Sequence, residues 1–256
     1  MTSPLASEAA PFGRVLTAMV TPFTDDGALD VAAAQRVATH LVDSGSDGIV
    51  VSGTTGESPT TTLDEDGQLL EAVIEAVGDR ATIVAGVGTN DTQHSIELAE
   101  QARKHGAHGL LVVTPYYNKP PQAGIVAHMR AVAAAGDDTP VMVYDIPGRT
   151  GVQIAEATYT ELIGIPQIVA VKDAVGDLER GAWLMRETGI KVYSGDDALN
   201  LAWFAVGASG VVSVVAHAAA AQYAEMARAI DAGDLARARE LNAQLLPAVR
   251  AIMTHT

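Results

Sequence analysis

Eight short apolar runs, each closed by turn residues and followed by helical spacing, constrain this chain more than any other feature. They are "VLTAMV" (15–20), "GIVVSG" (48–53), "TIVAGVG" (82–88), "GLLVVTP" (109–115), "PVMVYDIP" (140–147), "IVAVK" (168–172), "KVYSG" (191–195) and "GVVSVV" (210–215). Their β-branched residues continue without polar alternation, which suggests strands covered on both faces, as in a parallel sheet. In the intervening "TQHSIELAEQARKHGA", Ile96, Ala99 and Arg103 fall near one face of a helix, with Leu98 and Ala102 alongside, and Gly106 is the expected stop. Eight β-then-α units in 256 residues fit a closed (β/α)8 TIM barrel. An open doubly wound sheet is the competing α/β architecture, but no GxGxxG follows the first run and eight units exceed what that fold needs.

The barrel is expected over residues 13–233. A loose Ser/Pro/Ala leader occupies 1–12, with no basic segment or apolar run of a secretory signal. After the eighth run, "AAAAQYAEMARAIDAG" reads as the barrel's own last helix, ended by Gly233. "DLARARELNAQLLPAVRAIMTHT" is then extra, the start of a C-terminal helical region over 234–256 in which Leu245, Leu246, Val249 and Ile252 are expected to leave apolar surface exposed.

Hydrophobic content of 48% supports a sizeable core, and a net charge of −15 disfavours nucleic acid and anionic membrane surfaces as partners. A small anionic substrate stays possible, because a pocket can be locally positive inside an acidic protein. With no cysteine the chain has neither a disulfide framework nor a thiolate metal site, and no apolar stretch is long enough for a membrane span; a soluble, cytoplasmic protein is expected.

In a (β/α)8 barrel the functional groups sit at the C-terminal strand ends, where the βα loops form the pocket. Polar residues gather at those ends here: Thr21-Pro22, "GTTGES" (53–58), Thr89-Asn90, "TPYYNKP" (114–120), "YDIPGRTG" (144–151), Lys172-Asp173, "SGDD" (194–197) and His217. Lys172 is one of four lysines and ends an apolar strand. A lysine there can simply keep its ammonium in water while its stem covers apolar surface. Barrel order argues otherwise: strands five and six are neighbours, so Tyr144 and Lys172 converge, and strand two lies across the barrel, so Thr54 and Thr55 face the lysine. Desolvation favours the free amine that attacks a carbonyl, a tyrosine hydroxyl can relay protons, and a small hydroxyl-rich turn suits a carboxylate. That combination points to imine chemistry.

Other polar groups have plainer readings. Gly-Thr-rich turns also occur for conformational reasons alone. Tyr116 and Tyr117 also fit a packed aromatic pair or an interface patch, and Arg149 a surface ion pair. His105 and His108 have metal-like spacing but precede strand four, on the opposite face, and His217 alone makes no metal site. Asp196 and Asp197 are expected to cap or hydrogen-bond. No phosphate-binding Gly-rich loop follows strands seven and eight.

"GTTGES", "TPYYNKP", "YDIPGRTG", "VKDA" and "SGDD", in that order, closely resemble the 4-hydroxy-tetrahydrodipicolinate (dihydrodipicolinate) synthases over roughly residues 12 to 253, with wording like the actinobacterial branch. The motifs are shared with the wider pyruvate-dependent class I aldolases, including N-acetylneuraminate lyase and keto-deoxy sugar-acid aldolases. The resemblance implies that Lys172 forms an imine with pyruvate and that Tyr144 relays protons. Thr55 matches the relay threonine between Tyr144 and Tyr117, and Tyr117 the tyrosine that reaches into an adjoining subunit. Thr54 matches the neighbour at the pyruvate carboxylate, Arg149 the arginine that binds the carboxylate of L-aspartate-4-semialdehyde, and Gly195 and Val212 positions whose backbone lines the pocket. A guanidinium fork suits a carboxylate, so Arg149 favours the amino-acid aldehyde over a sugar acid. What is implied is a lyase of diaminopimelate and lysine biosynthesis, needing no metal or dissociable cofactor, in a homo-oligomer that is a tetramer in the family. The chain departs from the family in two respects. "PTTTLDED" and His94 replace the histidines and the acid that bind feedback lysine in many relatives, so lysine inhibition is not expected. Family members also continue past the position of Thr256, which leaves a truncated barrel that binds pyruvate with little turnover as a further alternative.

Overall fold

The computed structural model describes residues 7–255. Its first half runs β1 (Val15–Ala18), α1 (Val31–Asp43), β2 (Gly48–Val51), α2 (Leu63–Val77), β3 (Thr82–Gly86), α3 (Thr92–His105), β4 (Gly109–Val113) and α4 (Gln122–Ala135). The second half runs β5 (Val141–Asp145), a one-turn α5 (Pro147–Thr150), α6 (Glu156–Leu162), β6 (Ile168–Asp173), α7 (Leu178–Thr188), β7 (Lys191–Ser194), α8 (Asn200–Ala205), β8 (Gly210–Ser213), α9 (Ala216–Asp231) and α10 (Leu235–Ile252). All eight strands pair in parallel with their sequence neighbours, and β8 returns to β1, closing the (β/α)8 barrel.

The pleat divides each apolar run between two cores. Leu16, Val50, Val84, Leu111, Met142, Ala170, Tyr193 and Val212 fill the barrel interior. Ile49, Ile83, Leu110, Val143, Val171 and Val192 point outward and join the inner faces of the helices. Both faces of nearly every strand are therefore apolar, which is why the runs show no alternation. Five of the helices start where short polar side chains cap them: Asp30 accepts from the Ala33 N–H, Thr62 and Glu65 form a reciprocal capping box, and Asp91, Asp177 and Asp234 cap α3, α7 and α10. α3 stops at Gly106, which takes φ +84°, a left-handed conformation open to glycine.

The leader expected over 1–12 is anchored at its end. Residues 1–6 lie outside the described residues, but Ala10 and Phe12 are buried. The Phe12 ring packs edge-on against Tyr193, centroids 6.0 Å apart, and its N–H donates to the Tyr193 hydroxyl at 3.1 Å, plugging the N-terminal end of the barrel. Gly109 makes room, since a Cβ there would lie 2.4 Å from Phe12. Phe12→Ala should lower the unfolding free energy by about 3–5 kcal/mol, because a fully buried aromatic leaves a cavity that the closed barrel cannot collapse around. Denaturant titration measures this.

The expected exposure in the C-terminal region is corrected in part. Leu245 and Val249, with Ala238 and Leu241, are buried against Tyr223, Met226 and Ala227 of α9, and Ile252 packs partly against the same cluster. Leu246 alone of the four stays exposed. The last helix thus covers its own apolar stripe by folding back on α9.

Candidate active site

The C-terminal mouth of the barrel holds a cavity of about 450 Å³. Seven of the eight residues singled out from the sequence line it: Thr54, Thr55, Tyr144, Arg149, Lys172, Gly195 and Val212. Lys172 is 7% exposed, and its Nζ lies 4.1 Å from the centroid of the Tyr144 ring, over the ring face. Among the described residues no carboxylate pairs with that amine, which leaves it open to chemistry. Gly195 sits against the lysine stem. A Cβ there would come within 3.1 Å of Lys172 Cε and Cγ, and the Gly195 N–H donates to the Asp173 carbonyl at 2.7 Å.

The meeting of Tyr144 and Lys172 depends on one irregularity. β5 and β6 pair Val141 with Ile168 but Met142 with Ala170, so Val169 is an extra residue in β6. From there Tyr144 stands opposite Lys172 and Asp145 opposite Asp173. Without the bulge Tyr144 would face Val171, and a one-residue slip turns a side chain to the other face of the sheet.

Thr54 and Thr55 begin a single 3-10 turn after β2, tied down when the Thr21 hydroxyl donates to the Gly56 carbonyl at 2.6 Å. Ser52, Glu57, Tyr117 and Lys119 all take positive φ, from 47° to 68°. Non-glycine residues in that region carry backbone strain of about 1–3 kcal/mol each and concentrate around functional sites. The Ser52 hydroxyl donates to Asp66 at 2.7 Å, holding its turn in place. Its carbonyl comes so close to Gly86 that a Cβ there would lie 2.2 Å away, so only glycine fits.

Tyr117 is the residue that the single chain does not bring in. It is 84% exposed, on the loop after β4, and does not line the cavity. Tyr116 instead lines two smaller adjoining spaces. One, of about 220 Å³, shares Thr54, Tyr144 and Arg149 with the main cavity. The other, of about 240 Å³, contains Asp66, Asp91 and His94. Arg149 is exposed at the rim, on the short helix α5 that Pro147 initiates.

The plainer readings can also be placed. His108 is buried, and its Nδ1 accepts the Ile83 N–H at 3.0 Å; burial pushes its pKa down. Asp196 caps the turn after β7, while Asp197 accepts the N–H groups of Val214 and Val215. His217 bridges the seam of the barrel: Nδ1 contacts the Val214 carbonyl at 2.8 Å, and Nε2 accepts the Val20 N–H at 3.2 Å. Burial pushes its pKa down as well, in keeping with a neutral bridging ring.

Two features, one at the mouth and one behind it, had no counterpart in the sequence pattern. Met253, just beyond α10, lines the main cavity, and nothing in its local pattern distinguishes it from a surface residue of a helix end. Arg180 of α7 forms ion pairs with both Asp145, at 3.0 Å, and Asp173, at 3.1 Å, behind the strands. The only signal for that cluster was an acid directly after both Tyr144 and Lys172. Burial, offset in part by Arg180, raises the Asp145 pKa to about 6. A raised carboxylate contributes most stability when protonated, and that contribution fades as pH climbs from the unfolded value near 4 to about 6. Relative to an Asp145→Asn variant, the parent should therefore lose stability across that window, by on the order of 1–3 kcal/mol, and hold level above it. Paired thermal melts between pH 4 and 7.5 check this.

The mouth defines a class: a closed (β/α)8 barrel that presents a buried amine, a tyrosine, threonine hydroxyls and a guanidinium in one cavity, equipment suited to carbonyl condensation. Within that class the chain belongs to the dihydrodipicolinate synthetase family, whose model matches residues 11–256. It is 58% identical over 255 residues to a 4-hydroxy-tetrahydrodipicolinate synthase of Kineococcus radiotolerans, covering 100% of this chain and 82% of that protein. Among solved structures, the lysine-bound enzyme of Cyanidioschyzon merolae superposes with a TM-score of 0.92 at 43% identity, covering 95% of this chain and 84% of the other. A chloride-inhibited dihydrodipicolinate synthase of Acinetobacter baumannii, complexed with pyruvate, superposes with a TM-score of 0.91 at 36% identity, covering 95% and 84%.

Proposed function

We propose that this chain condenses pyruvate with L-aspartate-4-semialdehyde to 4-hydroxy-tetrahydrodipicolinate, a reaction of diaminopimelate and lysine biosynthesis, and that Lys172 carries the covalent intermediate. The observation that carries the reading is the buried amine of Lys172 in one cavity with Tyr144, the paired threonines and Arg149. The name of the Kineococcus relative and the family membership support the same reaction.

The Lys172 amine adds to the pyruvate C2 carbonyl and expels water, giving an imine. Loss of a methyl proton converts this to an enamine, whose carbon attacks the aldehyde carbon of the semialdehyde and leaves a hydroxyl. The α-amine of that substrate then attacks the imine carbon, the bond to Lys172 breaks, and the ring is released. The imine nitrogen acts as the electron sink, so no metal or dissociable cofactor is needed. Tyr144 moves protons to and from the carbinolamine, and Thr55 orients its hydroxyl. Thr54 and its turn receive the pyruvate carboxylate, with Gly195 and Val212 shaping the floor.

Arg149 at the rim receives the semialdehyde carboxylate, and this disfavours the reading as a keto-deoxy sugar-acid aldolase or lyase. A panel of acceptor aldehydes separates the two. Tyr117 projects outward and completes a relay in a neighbouring copy, so the working form is a homo-oligomer, and the biosynthetic role of the reaction makes it a cytoplasmic one. No helix among the described residues is long and apolar enough to cross a membrane.

The decisive test is intact-mass spectrometry after incubation with pyruvate and borohydride, then peptide mapping, alongside a turnover assay with the semialdehyde. One reduced adduct on the peptide carrying Lys172, with turnover, is expected. An adduct without turnover would reduce the chain to a pyruvate-binding barrel, and no adduct on folded protein would end the imine reading.

A further inference from the structure

Directly behind the reactive pair, on the outer side of the barrel wall, lies a closed set of charges. Strand alternation turns Tyr144 and Lys172 into the cavity and Asp145 and Asp173, their immediate successors, outward. All four meet across one step of the β5–β6 ladder. Arg180 reaches in from the first turn of α7 and spans the two acids: one terminal nitrogen bonds Asp145 at 3.0 Å, the other Asp173 at 3.1 Å. The nitrogen on Asp145 also donates to the Ile154 carbonyl at 2.7 Å. Each carboxylate accepts two further bonds. Asp145 accepts from the Tyr159 hydroxyl and the Ile154 N–H, and Asp173 from the N–H groups of Val175 and Gly176. Both acids and the guanidinium are almost entirely removed from solvent.

Such a cluster is a weak source of net stability, because desolvating three charges costs about as much as their attraction returns. What a planar fork between two fixed acceptors does supply is geometry. The clamp holds the residue after Tyr144 and the residue after Lys172 at one separation. It also reaches the third strand of the site, since the Asp173 carbonyl accepts the N–H of Gly195, against which the lysine stem rests.

We propose that Arg180 is a positioning residue for the condensation: through Asp145 and Asp173 it sets the placement of the Tyr144 phenol relative to the Lys172 amine. This rests on the imine reading above. The clamp touches neither substrate, so its effect falls on the rate of the covalent step and not on pyruvate affinity.

The test measures imine formation by rapid quench into borohydride, with the adduct counted by mass, over a range of pyruvate concentrations and beside a melting curve for each protein. Two variants are compared with the parent. Asp145→Asn keeps an acceptor for Arg180 and Tyr159 but loosens the β5 side of the clamp. Arg180→Lys keeps the charge but cannot span both acids. Expected is a covalent step slowed roughly ten- to a hundredfold at saturating pyruvate, as a displacement of order 1 Å between reacting groups would cause. The half-saturating pyruvate concentration should stay close to the parent's, and the adduct should still map to Lys172. A folded variant of either kind that traps at the parental rate, or one in which only the melting temperature falls, would assign the cluster to structure and overturn the proposal. So would a loss that lies entirely in pyruvate affinity. A parent protein that forms no adduct removes the imine reading and this proposal with it, whereas a parent that traps beside variants that trap equally fast removes the clamp alone.

Discussion

Replacing Lys172 by alanine should lower turnover by roughly 10⁴-fold or more, since losing a covalent nucleophile forfeits the division of one hard step into two easier ones. The fold should not suffer. Among the described residues the amine pairs with no carboxylate, and its loss removes a nearly buried polar group from the barrel mouth. A melting temperature at or above the parental value, with no pyruvate adduct after borohydride, is the expected pair of results. Turnover within tenfold of the parent would place the chemistry on another residue. Lys172→Arg should fail almost as completely, because a guanidinium keeps the charge but cannot form the imine.

Arg149→Met addresses the second substrate. The side chain is exposed at the cavity rim, so the variant should fold normally. Loss of a charge-assisted contact to the semialdehyde carboxylate costs about 1.5–3 kcal/mol, which is roughly ten- to a hundredfold in the KM for that substrate. Pyruvate trapping on Lys172 should continue at the parental rate. This contrast separates the roles: one variant loses the first covalent step, while the other keeps it and loses the acceptor. If Arg149→Met leaves the semialdehyde KM unchanged, the guanidinium does not receive that carboxylate, and the acceptor assigned on its account has to be reopened.

The barrel was legible because its signal is local and repeated. Every apolar run maps onto a strand, although several continue past the strand end into the loop, as "VLTAMV" does when β1 stops at Ala18. Gly106 marked a helix stop and the structure ends α3 there, while the caps at Asp30, Thr62, Asp91 and Asp177 are equally local. Strand order then brings seven of the eight named residues to one cavity, since strand ends in a closed barrel have nowhere else to converge.

What stayed illegible shares one cause: it depends on contacts between segments distant in sequence. Barrel order set Lys172 beside Tyr144, but no alternation in "IVAVK" shows how the strand turns the lysine inward, because both of its faces are apolar. The bulge at Val169 decides it, and a bulge arises only where β6 meets β5. The leader's last residues read as loose until Phe12 met Tyr193, 181 positions away. Leu245 and Val249 read as exposed because their covering surface belongs to α9. The outward turn of Tyr117 and the double ion pair of Arg180 likewise exist only once the loops and helices have docked. The sequence by itself thus determined the repeat, the caps and the inventory of reactive groups, all carried by near neighbours. Only the tertiary structure decided which face of each strand those groups take and what stands behind them, because a shift of one residue in register reverses a side chain's direction.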